Sequence, residues 1–359
     1  MEENKLKVVY ETWFGSHAYG TNRPDSDEDF RGICIAPLET YFGVLSNFEE
    51  LEQKVPDRVL WNITKFMKMA MNSNPSTFEI LFCDENSIIK MNPSGEKLRN
   101  HRDLFLSKQV SKSYMGYAFS QFNRLKRHKA WLINPPKNQP ERADFGLPEN
   151  RKVISADEQG AFIYVLNAIL KGTVEELKLS DSTLEELKNV NTIGLLQSAN
   201  IVDPMYWKQV QEITGASDNF IDYMSRERAY KNSMSQWTSY VEWRTNRNGK
   251  RAELEKKYGY DTKFAQNLIR LIRMGEEILT GKGVIVKRPD AEDLKAIAHG
   301  SMSFEELEAY VIEKEQTLKN LELTTTLPKS IHRVKLNELC QEILSNELYT
   351  DIAVHALPL

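Results

Sequence analysis

Apolar and polar positions change rhythm partway along the chain. Up to about residue 90, short runs rich in β-branched and aromatic side chains are separated by polar breaks; from Lys97 onward, apolar residues recur mainly at helical spacing. The run Lys7-Val8-Val9-Tyr10-Glu11-Thr12-Trp13-Phe14 predicts a strand that stops at Gly15. Thr21 to Ser26, with Asn22, Pro24 and Asp25, predicts a loop that lets a second strand, Phe30 to Ile35, return beside the first. From Trp61 through Met71, the apolar residues Ile63, Phe66, Met67 and Ala70 have the spacing of a helix ending near Asn74-Pro75. Phe78-Glu79-Ile80-Leu81-Phe82 then predicts a further strand.

The second half reads as helix after helix. Amphipathic segments include Gln159 to Ile169, Ser182 to Asn189, Tyr206 to Thr214 and Asn267 to Leu279. Pro289 to Asp293 and Ser303 to Glu306 start helices with acids in the first turn, the latter continuing towards Leu321, and Val284-Ile285-Val286 predicts a short strand. The polar, proline-rich stretch from Asn134 to Pro140 cannot continue a helix and opens an inserted segment. The expected fold class is α+β: a small sheet core with a larger, mostly α-helical remainder. The expected division is residues 1–95, a helical region over 96–255 with the insertion from about 134, and a C-terminal helical domain over 256–359.

Chemistry concentrates where the first strand ends. Gly15-Ser16-His17-Ala18-Tyr19-Gly20 is followed by Ser26-Asp27-Glu28-Asp29-Phe30-Arg31-Gly32-Ile33. A Gly-Ser turn exposes backbone N–H groups with no Cβ in the way, which suits a phosphate chain. In extended backbone, Asp27 and Asp29 point to one side and Glu28 to the other, and paired carboxylates of this kind are hard ligands for Mg²⁺ bound to a triphosphate. The bland alternative is a solvated acidic loop at a strand entrance. Arg23 and Arg31 flank the acids, either to neutralise phosphate or to tie the loop to an acid partner.

The block from Phe14 to Ile33 resembles the G-S turn and D-x-D signature of the DNA polymerase beta nucleotidyltransferase superfamily. Asn74-Pro75 with Phe78 to Phe82, and Gly259 to Lys263 with Leu268 to Leu271, resemble the RNA repair pathway DNA polymerase beta family within it. The resemblance implies a mixed-sheet core of that type and Mg²⁺ or Mn²⁺ as cofactor. It also implies transfer of a nucleoside monophosphate from an NTP such as ATP to an acceptor hydroxyl, an RNA 3′ end, for instance that of a tRNA, being the first candidate. Such enzymes need a third carboxylate, for which Asp57 and Glu79 are available. Glu79 is the polar residue inside an apolar run, costly to bury without a partner such as a metal, and is favoured; Asp57 reads as a strand-edge or capping residue. Asp27, Asp29 and Glu79 are therefore the expected catalytic and metal-binding set, with Gly15, Ser16, Tyr19, Arg31, Lys263, Arg270 and Arg273 on the nucleotide. Lys263 and Arg270, seven residues apart, would share a helix face, with Arg273 on an adjacent stripe.

Composition changes this picture little. The formal net charge of −4 disguises basic clusters at Arg124 to Lys129 and from Arg226 to Arg251, the latter interleaved with Tyr223, Tyr230, Trp237, Tyr240 and Trp243. That arrangement suits RNA, or equally a helix with a solvated basic face and an aromatic core face. No apolar run is long enough to span a bilayer and no apolar leader begins the chain, so a cytoplasmic protein without membrane contact is expected. Three scattered cysteines, Cys34, Cys83 and Cys340, read as buried thiols. Two other readings remain open: nucleotidylation of a protein or small-molecule hydroxyl, and a catalytically silent RNA-binding or antitoxin-like module. Oligomeric state leaves no signal in the sequence.

Overall fold

Two strands that enter and leave the Gly-Ser segment organise a five-stranded mixed sheet in this computed structural model, which describes residues 3–42, 48–149 and 217–355. The order is β3-β4-β2-β1-β5, from β1 (Lys7–Phe14), β2 (Asp29–Ile35), β3 (Glu50–Lys54), β4 (Asp57–Asn62) and β5 (Ile88–Met91). β1 lies antiparallel to both β2 and β5, β2 is parallel to β4, and β3 is antiparallel to β4. Register decides what gathers where. Phe14 at the end of β1 is opposite Asp29 at the start of β2, and Asp29 is in turn beside Asp57 at the start of β4. Three strand ends therefore converge on one edge.

The helices of the first half are α1 (Gly15–Tyr19), α2 (Glu39–Phe42), α3 (Ile63–Met71), α4 (Pro75–Leu81), α5 (Pro93–Asn100) and α6 (Gln109–Ile133). In α3, Ile63, Phe66, Met67 and Ala70 are buried as the spacing predicts, and the Asn62 side chain caps its first turn by accepting from the Thr64 N–H. Trp61, read as helical, instead belongs to β4. The strand expected at 78–82 is a larger departure: this segment is α4. Asn74 accepts from the Ser76 N–H and Pro75 occupies the first turn, where its missing N–H costs nothing. The continuous apolar run arises because α4 is buried nearly all round, a case that periodicity does not separate from a buried strand.

Beyond these come α7 (Asp218–Thr245), α8 (Gly249–Tyr258), α9 (Thr262–Leu279), α10 (Ala291–Ala298), α11 (Phe304–Thr324) and α12 (Arg333–His355). The helices expected at 159–169, 182–189 and 206–214 lie outside the described residues. The starts of α10 and α11 match the sequence reading, with Ser303 and Glu306 forming a reciprocal capping box. α9 is apolar on two sides because it divides two cores. Leu271, Met274 and Ile278 join the cluster under the sheet, and Leu268, Ile269 and Ile272 join one with Phe122, Leu294, Phe304 and Leu307. The strand expected at 284–286 does not form. This stretch joins no ladder; Val286 packs into the sheet core and the Arg288 N–H donates to the Tyr19 carbonyl at 3.0 Å, strapping the end of α1.

The chain divides into two compact units, Met1–Leu132 with Asn248–Leu359, and Ile133–Arg247. The second unit has its own buried-side polar knot, in which Arg142 pairs with Glu227 and donates to the Tyr223 hydroxyl. Among the described residues, no helix is long and apolar enough to cross a membrane.

Candidate functional site

The Gly-Ser segment forms the short helix α1 rather than an open turn. Phe14 is still extended, and Gly15 takes φ 63° to turn the chain from strand into helix in one step, a conformation that favours glycine. A second constraint acts at the same atom: a Cβ on Gly15 would run into the Asp29 carboxylate oxygen Oδ2. Glycine is thus required both by backbone and by the close approach of Asp29. The first N–H groups of α1 have no acceptor within the helix, which leaves donors beside the carboxylate.

Asp29 is the first residue of β2, half-buried against that turn. Burial pushes its carboxyl above the usual carboxylate range; the negative charges of Asp57 and Asp27 push the same way, while Arg31 and Lys263 pull it back. Asp27 is exposed just before the strand. Asp57, the strand-edge residue of the sequence reading, begins β4 and is held by Arg31, whose Nη2 donates to Oδ2 and whose Nη1 lies by Oδ1, each at 3.2 Å. The charges of Asp57 and Asp27 therefore both act on Asp29 at the edge where β1, β2 and β4 meet. As the side chains stand, no group of three His, Cys, Asp or Glu among the described residues closes into a metal-holding cluster.

Glu79 goes elsewhere. It is buried on α4, where Oε1 accepts from Arg270 Nη1 at 2.6 Å and Oε2 accepts from the Tyr19 hydroxyl at 2.5 Å. The Arg270 guanidinium also stacks 3.7 Å from the Tyr19 ring centroid. The expectation that a buried carboxylate needs a partner is correct, but the partner is an arginine from α9, 191 positions away in sequence. Burial raises the Tyr19 hydroxyl well above its ordinary range, so it donates to Glu79 as a neutral phenol. α1 consequently joins two environments: an open acidic edge at Gly15 and a buried ion pair at Tyr19.

The expected cationic stripe on α9 is likewise divided. Lys263 is exposed near the start of the helix, where its charge acts on Asp29. Arg270 faces inward to Glu79, and Arg273 pairs with Asp290 and Asp293 at 2.6 Å each, fastening α9 to α10. Of the basic cluster on α6, Lys126 and Lys129 are paired with Glu308 and Glu305 of α11.

Sequence reasoning missed the strand that carries Asp57, although the continuous apolar run Val59-Leu60-Trp61 beyond the Pro56 break was a usable signal. It also missed the ring cluster in which the Trp13 ring lies, tilted, 4.8 Å from His17 and 4.7 Å from Phe30. Trp13 and His17 flank Gly15 two residues to either side, and Phe30 follows Asp29 directly.

An uncharacterized 38.9 kDa protein from the nrdC-mobD intergenic region of Enterobacteria phage T4 is 28% identical over 133 residues, covering 33% of this chain and 39% of that protein. The uncharacterized protein YcgL of Bacillus subtilis (strain 168) is 32% identical over 82 residues, covering 22% of this chain and 32% of its own. The chain therefore spans well under half the length of these two curated relatives. No solved structure matches it. Over residues 1–135, the stretch that supplies Gly15, Asp27, Asp29, Arg31 and Asp57, the chain matches the RNA repair pathway DNA polymerase beta family.

Proposed function

We propose that the chain is a nucleotidyltransferase that moves a nucleoside monophosphate from an NTP to the 3′ hydroxyl of an RNA, releasing pyrophosphate. The observation that carries this reading is the contact of Gly15 with Asp29 at the strand edge, within the matched residues, with Asp57 in register beside it. The donor set suits Mg²⁺ or Mn²⁺: all oxygen, with Asp29 half-buried and its carboxyl pushed up by burial and then by its acidic neighbours, a charge repulsion that a cation would relieve. Asp27, Asp29 and Asp57 would hold it. An ion held by these residues would supply Lewis-acid stabilisation of the negative charge on the triphosphate.

Asp57, rather than Glu79, is the third carboxylate in this reading, since the Glu79 oxygens are already taken by Arg270 and Tyr19. The free N–H groups of α1 and the Ser16 hydroxyl would donate to the β- and γ-phosphates, and Lys263 would approach them from α9. The acceptor hydroxyl loses its proton to solvent as its oxygen attacks the α-phosphorus, the bond from that phosphorus to the β-phosphate bridging oxygen breaks, and pyrophosphate departs. Catalysis of this kind rests on positioning and charge. Tyr19 and Arg270 act from behind, fixing α1.

The test is a panel of the four labelled NTPs with defined RNA 3′ ends, total protein and small alcohols, in Mg²⁺ and Mn²⁺. RNA extension with pyrophosphate release is expected, and Asp27→Asn or Asp29→Asn should abolish it while the fold persists. Label on protein alone would remove the RNA acceptor, and undiminished transfer by both variants would remove the site.

A further inference from the structure

Arg31 holds Asp57 in a way that bears on how a cation reaches that carboxylate. A carboxylate half exposed at a strand start would ordinarily be left to water, yet both Asp57 oxygens face one guanidinium whose side chain is only 16% exposed. Arg31 Nη1 also donates to the Phe30 carbonyl at 2.8 Å and the Asp57 carbonyl at 3.2 Å. That nitrogen has two hydrogens and three acceptors, so the carboxylate contact competes with the two backbone contacts. The Phe14 ring, 5.1 Å from the guanidinium carbon, provides a further surface for the charge to rest on.

Asp29 and Arg31 are two apart on β2 and share a sheet face, so the guanidinium that holds Asp57 also stands on the Asp29 side of the sheet. A cation that binds Asp57 must displace it, and the exchange favours the ion electrostatically: a single positive charge leaves the carboxylates as a double one arrives. We propose that Arg31 is a displaceable counter-ion, competing with the divalent ion for Asp57 and, once released, turning to the phosphates of the nucleotide. The backbone carbonyls of Phe30 and Asp57 keep the freed arm at the sheet edge, beside the phosphates that α1 would receive. This inference rests on the reading of Asp27, Asp29 and Asp57 as metal ligands.

The experiment measures Mn²⁺ binding to the full chain, without nucleotide, by electron paramagnetic resonance for wild type, Arg31→Met, Arg31→Lys and Asp29→Asn. Arg31→Met should bind Mn²⁺ about fivefold more tightly, the upper end of what one partly exposed ion pair withholds, with Arg31→Lys between it and wild type. With Mn²⁺ saturating, Arg31→Met should bind a non-hydrolysable NTP analogue more weakly. In wild-type protein, which needs no substitution to fold, the Arg31 Nε signal, identified by its loss in Arg31→Lys, should shift as Mg²⁺ is added. Unchanged or weaker Mn²⁺ binding by Arg31→Met, or an Arg31 signal indifferent to saturating Mg²⁺, overturns the exchange if Asp29→Asn has lost Mn²⁺. If Asp29→Asn binds Mn²⁺ as wild type does, the metal reading itself falls.

Discussion

Glu79→Ala separates the two roles that a buried acid on α4 can have. The side chains of Glu79 and Arg270 are 2% and 6% exposed, and their contact at 2.6 Å is reinforced by the Tyr19 hydroxyl on the second oxygen. Removing the carboxylate leaves an enclosed guanidinium beside the Met274 sulfur and the Tyr19 ring, with no other carboxylate paired to it among the described residues, and deprives the phenol of its acceptor. Breaking a buried ion pair from one side costs about 3–5 kcal/mol, a large share of a typical total of about 5–15 kcal/mol. In a unit of this size, that lowers the melting temperature by roughly 10 °C. The assay is urea and thermal unfolding with and without Mg²⁺. The double variant Glu79→Leu with Arg270→Met, which removes both charges and keeps the volume, should recover most of the loss. Were Glu79 instead a metal ligand, its removal would relieve repulsion, and the metal-free protein would be no less stable. A loss below about 1 kcal/mol without metal, joined to a vanished Mg²⁺ stabilisation, would refute the ion-pair argument.

Two further outcomes follow from the acidic edge. Gly15→Ala must adopt a left-handed backbone, costing about 1–2 kcal/mol, and must also push Asp29 aside, so transfer should fall by about a hundredfold or more. Gly20→Ala is the control: it has φ 73° but meets nothing nearer than a flexible Lys287 carbon at 3.9 Å, so it should lose similar stability and keep its activity. Asp29→Asn should stabilise the metal-free protein while abolishing transfer. The native state holds the Asp29 proton more tightly than the unfolded chain does, so ionisation costs stability as pH rises through the raised pKa. The two proteins should melt together near about pH 3, below the carboxylate range, and diverge in favour of Asn towards about pH 7. A constant difference across that interval would contradict the desolvation of Asp29.

The sequence by itself determined the elements whose signals are local. A β-branched run ending at glycine made β1, acids at alternate positions marked the entrance to β2, and the spacing of Ile63, Phe66, Met67 and Ala70 made α3, because turn chemistry and side-chain periodicity act over a few residues. Gly15, Ser16, Asp27 and Asp29 stand out in the sequence as candidates for the same reason. What only the tertiary structure decided was the company these residues keep. Whether Phe78 to Phe82 is strand or helix depends on burial all round it, which periodicity does not encode. Whether Asp57 or Glu79 stands by Asp29 depends on which strands pair and in which register. Whether Arg270 serves the acidic edge depends on which side of α9 faces α4. Strand pairing and ion pairing join residues far apart in the chain, and their energies depend on burial, which no short window of sequence contains.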